Sequence, residues 1–440
     1  MKRLYETAAY GPQQGCFWAD TVLPTPWPTL NGDIQTDVAI IGGGFTGLSA
    51  ALHLAQDTVR VTVLEAETPG FGASGRNGGF CCLGGAKAPR KLLQKRYGTQ
   101  GLADWRATEK AAIDTVTTLL RTHCIDADTH SQGETLIAHT PRAMASLRAS
   151  VEEIRTDYAV TPQVIEKTAL RENGLAGPFH GALTIPLGFA LNPRKYHAGL
   201  AQAAQSAGAQ LYAQTPVTRL TQQGGKTRLT TPNGTITADR VILATNGYSS
   251  EDVPDWLRAR YLPVQSSVIV TRPLTLSERE AQGWTSDQMA YDTRTLLHYF
   301  RKLPDNRFLF GMRGGLRATQ GAEAAIRRKI RRDFNAMFPA WREVEITHDW
   351  SGLVCIMSNL TPFAGPVPEL PGVFAGMGYH GNGVAMGSHT GRILAAIVQG
   401  KTPDTPYPQA MRQPPGRFPL GRFRRALLAP AYATASLLDS

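Results

Sequence analysis

Gly42, Gly44 and Gly47 stand in the spacing G-x-G-x-x-G directly after the apolar run 38–41. That pattern binds phosphate rather than making or breaking bonds. A short apolar run suits a strand buried on both faces. Gly42 then permits a tight turn, Gly44 lets the backbone approach a pyrophosphate, and Gly47 lets the following helix pack close to the strand. Phe45 and Thr46 fall in the first turn of that helix, whose free N–H groups and positive dipole end face an anion. The next apolar run, VRVTVLE, ends on Glu65, 18 residues beyond Gly47. A carboxylate there accepts hydrogen bonds from ribose hydroxyls and repels a 2′-phosphate. No arginine follows at once, which argues against NADP.

NAD and FAD share this fingerprint, and the residues after Glu65 discriminate between them. Residues 65–80 read EAETPGFGASGRNGGF. The run FGASGRNGG resembles the D-amino-acid-oxidase-like (DAO) superfamily of FAD enzymes and looks closest to the γ-glutamylputrescine oxidase branch. The resemblance implies that Ala66, Ala73, Ser74, Arg76, Asn77, Gly78 and Gly79 lie along the FAD diphosphate and the flavin edge. Small residues allow that approach, and the Arg76 guanidinium can offset phosphate charge. The segment RVILATNGY, 240–248, is similar to the family's second FAD segment, which places Ala244, Thr245 and Asn246 near the diphosphate and Val217 near the adenine. The segment 372–395 is similar to the closing motif, which sets Gly381, Asn382, Gly383, Val384 and Ala385 beside the flavin pyrimidine ring, where N–H groups stabilise a reduced flavin. His380 stands two places earlier than the histidine of many relatives. Cys355 has the position of an attachment residue in some of them, but no motif supports a bond, so FAD is expected to be held noncovalently.

Oxidising an amine on a flavin asks little of a protein: a neutral nitrogen, an α-C–H held near flavin N5, and a wall that fixes both. The segment LLHYFRKLPDNRFLFGMR, 296–313, reads as two strands joined at Pro304, Asp305 and Asn306, and the resemblance puts aromatic wall residues here. Alternation sets His298 and Phe300 on one side and Tyr299 on the other. His298 could be a base or a satisfied polar core residue. Arg301 and Arg313 could bind a substrate carboxylate bidentately or lie on the surface. Lys302 could assist oxygen reduction or be solvated. Trp350 matches a tryptophan of the family and could line the pocket or pack two domains together. No metal-ligand spacing is present, and no metal is expected.

The implied activity is FAD-dependent oxidation of the C–N bond of an amine or amino acid by hydride transfer, giving an imine that hydrolyses, with electrons passed to oxygen or a quinone. A non-catalytic FAD-binding subunit of a larger assembly stays open as a second reading.

Two kinds of scaffold are needed to hold these residues. The expected fold is α/β plus α+β: a Rossmann-type FAD-binding domain and a discontinuous antiparallel-sheet substrate domain. Residues 1–30, with Pro24, Pro26 and Pro28, read as an irregular leader. Residues 31–95, 192–258 and 345–400 form the FAD-binding domain, 96–191 and 259–344 the substrate domain, and 401–440 a basic, apolar tail. Helices are expected at 103–123, 142–158, 193–207 and 322–338, the last with Ile326, Ile330, Phe334 and Met337 on one face. Of 440 residues, 42% are hydrophobic and 18% charged, enough apolar material for a large core. Five cysteines without a pairing pattern, an N-terminus without an apolar h-region and no membrane-length apolar run suggest a cytoplasmic protein with reduced thiols. The net charge of +11 is concentrated in RRKIRR, 327–332, and in the tail, so nucleic acid is not an expected partner. The tail could dock, or rest on a membrane surface as a peripheral contact, and Pro430 is expected to break any long helix there.

Overall fold

The computed structural model describes residues 1–11, 15–23 and 25–439; Pro24 lies outside them. Ile34–Ile41 is a central strand of a sheet ordered Phe363–Pro366, Val373–Met377, Gly234–Leu243, Ile34–Ile41, Val61–Leu64, Gln210–Tyr212. It runs parallel to both neighbours, with Ile40 opposite Ile242 on one side and Val63 on the other. Val38 and Ile40 pack beneath the helices Phe45–Gln56, Pro193–Ser206 and Ala385–Val398, while Ala39 and Ile41 face a second core with Leu229, Ile236 and Met357. Burial on both faces is why the run carries no polar alternation.

The second sheet has eight strands, ordered Ile346–Met357, Tyr261–Thr271, Phe308–Arg313, His298–Lys302, Met289–Asp292, Glu134–Ile137, Gly181–Ile185, Gln163–Glu166. Its pairings are antiparallel except at one junction, where Met289–Asp292 runs parallel to Glu134–Ile137. There the two separate stretches of chain that build the sheet meet. Ile346–Met357 pairs with Tyr261–Thr271 along its length, so this sheet takes a strand from beyond residue 344. One face carries an aromatic layer in which Phe300, Phe308 and Phe310 meet Phe334, Phe338 and Trp341. The helix Gln320–Met337 covers it and buries Ile330, Phe334 and Met337.

Local signals set several boundaries. Asn192 accepts from the Arg194 and Lys195 amides and Pro193 takes the first helical position, the expected start of a helix. The helix expected at 103–123 begins much earlier, spanning Arg90–Thr122, and Gly98 at φ +73° divides it. The leader is not merely irregular: Tyr5, Tyr10, Trp18 and Trp27 are buried. The tail docks. Arg424 is fully buried against Glu251 at 2.6 Å and donates to the Tyr261 carbonyl, and Arg425 pairs with Glu6. Pro430 does not break the final helix, Leu428–Leu438, because it sits in the first turn, where no N–H is required of it. Among the described residues no helix is long and apolar enough to cross a membrane.

Candidate active site

Three glycines with three different duties build the first part of the site. Gly42 has φ +108°, and a Cβ there would lie 2.8 Å from the Ala244 carbonyl oxygen, so the strand can turn here only without a side chain. A Cβ on Gly47 would lie 2.0 Å from the Gly42 carbonyl oxygen, which makes this glycine a packing residue of the helix. Beside Gly44 the nearest atom would be the Ser74 hydroxyl at 2.9 Å, which accepts from the Phe45 amide at 2.9 Å. The Glu65 carboxylate accepts from the Gly43 and Glu67 amides at 2.9 and 3.0 Å. Burial raises its pKa and those amides oppose the shift.

Segments far apart in sequence are tied together around this turn. Thr46 and Tyr379 share a hydroxyl hydrogen bond of 2.7 Å, and the Gly378 amide donates to Asn246 Oδ1 at 2.9 Å. A brace that sequence reasoning missed lies behind the turn. His197 Nε2 is 2.7 Å from the Gly43 carbonyl oxygen, and the Trp27 ring stacks on His197 at 6.1 Å. Burial lowers the His197 pKa to about 4, so the neutral ring donates Nε2–H to that carbonyl. Neither residue carries a motif.

A cavity is lined by Gly42 to Thr46, Glu65, Ala66, Ala73, Ser74, Asn77, Val217, Ala244, Thr245, Asn246, Gly381, Gly383 and Val384. Its lining also includes Cys355 and His380. His380 is locked: Nε2 accepts from the Met357 amide at 3.1 Å, Nδ1 lies 2.7 Å from the Gly85 carbonyl oxygen, and burial lowers the pKa to about 4. The open cradle at Gly44 beside a helix N-terminus, with a carboxylate in the same wall, fits FAD: Gly42 to Thr46 would hold the diphosphate and Glu65 the ribose.

A second cavity shares Ala73, Asn77, Leu353, Val354, Gly381 and Val384 with the first. Tyr299 forms part of its wall, with its hydroxyl 3.0 Å from Ser266 Oγ and its ring edge-on to Phe80 at 5.6 Å. Gly78 and Gly311 make room for that ring, since Cβ atoms there would lie 2.7 and 2.1 Å from it. Arg313 and Lys87 also line this cavity. Arg313 donates to the His380 carbonyl at 3.3 Å, and burial lowers its pKa. The Arg313 charge, with burial, lowers Lys87 to about 7. Among the described residues the larger influences on the two cations are burial, neighbouring phenols and a thiol, and one another rather than a carboxylate. Lys87 was not singled out from the sequence, because a lysine in a glycine-rich loop carries no pattern.

The other residues named for the substrate side lie away from the second cavity. His298 faces the aromatic layer, stacked on Phe310 at 5.3 Å and paired with Asp292 at 2.8 Å and Asp333 at 3.3 Å. It is the satisfied core histidine, because alternation turns it away from the cavity wall that holds Tyr299. Arg301 is fully buried, donates to the Gly78 and Leu191 carbonyls at 3.0 and 2.7 Å and lies 2.9 Å from His130 Nε2; the guanidinium ties these chain segments together. Lys302 pairs with Asp287 at 2.5 Å. The Trp350 indole donates to the Arg76 carbonyl at 2.8 Å and packs edge-on to Trp18. Arg76 lines the second cavity rather than the first, and its guanidinium donates to the Phe71, Ser351 and Gly11 carbonyls. Gly78 and Asn382 likewise belong to the second cavity, while Gly79 packs against the Leu191 carbonyl.

A glycine cradle, a buried acid in the same wall and an adjoining chamber fit a dinucleotide-binding oxidoreductase. The chain belongs to the DAO family, FAD dependent oxidoreductases, whose family model matches residues 37–397. It is similar to the "Probable oxidoreductase OrdL" of Rhizobium meliloti, 32% identical over 97% of both chains. It is also similar to the γ-glutamylputrescine oxidoreductase of Escherichia coli, 29% identical over 85% of this chain and 86% of that one. Among solved structures, glycine oxidase from Geobacillus kaustophilus matches with a TM-score of 0.68 at 23% identity, covering 84% of this chain and 96% of that one.

Proposed function

We propose that the second cavity binds an amine bearing a carboxylate and that the chain oxidises its C–N bond. The observation that carries this reading is the pair Lys87 and Arg313, two cations without a carboxylate partner among the described residues, in a chamber that shares a wall with the FAD cavity. Two like charges held together in a cavity favour a ligand that supplies the opposite charge. FAD, when bound, supplies the hydride acceptor. The protein's part is to hold the acid end on Arg313 and Lys87, to keep the apolar stem against Tyr299, and to exclude water. The names of the γ-glutamylputrescine and glycine-oxidising relatives favour an amine over an alcohol, and the GASGRNGG run favours the former branch. A second cavity beside the first, with shared lining residues, favours an enzyme over a non-catalytic FAD-binding subunit. Electrons would leave to oxygen or a quinone.

FAD would be held without a covalent bond. Cys355 is buried in the wall of the cofactor cavity, and burial pushes its thiol up to about 12, so the nucleophilic thiolate is scarce near neutrality. An anaerobic panel of amines, amino acids, alcohols and NAD(P)H, watched by flavin bleaching, tests the proposal. Reduction by a carboxylated amine is expected; rapid bleaching by NADH with no response to any amine would overturn it. Flavin that precipitates with denatured protein would reject the noncovalent assignment.

A further inference from the structure

Behind the substrate chamber lies a carboxyl that the proposed function does not yet use. Glu134 opens the strand Glu134–Ile137 at the parallel junction of the second sheet, opposite Met289. It is 2% exposed, and its Oε2 is buried without a hydrogen-bond partner. The side chains of Tyr291 and Cys82 stand beside its carboxyl, and both line the chamber that holds Lys87 and Arg313. A glutamate in so enclosed a position, with an oxygen left unsatisfied, is costly to a fold and calls for a compensating role.

We infer that Glu134 takes up the proton the substrate ammonium must lose before oxidation, with the Tyr291 hydroxyl as the link between chamber and carboxyl. The inference rests on the amine reading above. An ammonium N–H passes its proton to the Tyr291 oxygen as the Tyr291 O–H passes its own to the Glu134 carboxylate. The sum is an ammonium and a carboxylate converted to a neutral amine and a carboxylic acid, with no electron transferred. Glu134 acts through Tyr291 and is a positioning and proton-holding residue rather than one that touches the reacting carbon.

The surroundings suit that role. Burial, first, and the charge of Glu109 on the helix Arg90–Thr122 raise Glu134 to about 8, opposed by Cys82, the Leu83 amide and Tyr291. Cys81, and Tyr158 at the end of the helix Pro141–Tyr158, also feel its charge. Arg313 acts on Tyr291 and Cys82 from the chamber side. Burial raises Tyr291 well above the ordinary phenol value, so the hydroxyl can pass a proton without itself holding a charge. The ionised, proton-accepting form of Glu134 grows as pH rises through about 8, a range that matches proton transfer from an amine.

The test uses the flavin-loaded enzyme and the variants Glu134→Gln and Tyr291→Phe, each checked for FAD content. In an infrared pH titration without substrate, the wild-type protein should lose one carboxylic-acid band near pH 8, and Glu134→Gln should not. In anaerobic stopped-flow reduction by the amine that bleaches the flavin, wild-type rates should rise through that pH. Glu134→Gln should be slower by about 10²-fold and lack that inflection. Tyr291→Phe should show the same defect, and the double variant should be no slower than either. No titrating band, or a Glu134→Gln enzyme with the wild-type rate and pH profile, overturns the inference while leaving the amine reading standing. A wild-type enzyme that no amine reduces overturns both.

Discussion

The first cavity and the second meet along a shared wall but differ in what builds them. The first is shaped by backbone: turns at Gly42 and Asn246, a helix N-terminus at Phe45, and glycines whose missing Cβ atoms make the space. The second is shaped by side chains from separate strands and loops: Lys87, Tyr291, Tyr299 and Arg313. A site made of backbone tolerates almost no substitution at its turns but says little about its ligand beyond a diphosphate. A site made of side chains is easily altered, and its chemistry decides the substrate.

The largest effect expected from this contrast is at Gly44. Gly44→Val should yield folded protein with native far-UV circular dichroism but no visible flavin absorbance, because the branched side chain fills the cradle and displaces the Ser74 hydroxyl 2.9 Å away. A yellow Gly44→Val protein would break the backbone account of the first cavity. Next comes Arg301→Met. It leaves the Gly78 and Leu191 carbonyls without their donor, at about 1–3 kcal/mol for each buried acceptor. Urea unfolding should show a loss of roughly 2–5 kcal/mol with the amine KM unchanged. A selective rise in KM for carboxylated amines, with stability intact, would return Arg301 to the substrate side.

Arg313 should behave in the opposite way. Arg313→Ala removes a charge-assisted contact and should weaken carboxylated substrates by about 1.5–3 kcal/mol. Neutral amines and the unfolding midpoint should change little, since its protein contact is a single carbonyl at 3.3 Å. Equal losses for charged and neutral amines would reject the carboxylate assignment.

The same contrast explains what could be read from the sequence. The Rossmann turn, Glu65 and the paired second sheet follow from glycine spacing and strand period, which are local. Period 2 also separates His298 and Phe300 from Tyr299. It cannot say which face meets the cofactor, and so His298 entered the candidates beside Tyr299. Arg301 shares the Tyr299 face but is intercepted by carbonyls of the segments around Gly78 and Leu191, a tertiary event with no sequence trace. Lys87, Glu134, Trp27 and His197 stand alone in the sequence without a motif, and only their neighbours in space single them out.

The smallest expected effect concerns the network on the face turned away from the chamber. His298 lies between Asp292 and Asp333, and Asp333 also pairs with Lys329. Burial lowers the His298 pKa and the two carboxylates raise it, with a net rise above 6.5. Asp333 is lowered below 3.8, because His298 and Lys329 outweigh its desolvation. A raised histidine contributes stability that is complete below its unfolded value and is lost as pH rises through its folded value. A lowered aspartate contributes stability above its unfolded value and loses it as pH falls through its folded one. The pair therefore contributes most between about pH 4 and 6.5, where both partners are charged. Asp333 is partly exposed, at 16% of its side chain, so screening reduces the pairing to about 1 kcal/mol. Asp333→Asn should lower the thermal midpoint more at pH 5.5 than at pH 8.5, by a few degrees at most, and leave the pH profile of flavin reduction where it was. A shifted reduction profile would mean that the far face of the sheet reaches the chemistry after all, and would restore His298 as a candidate base.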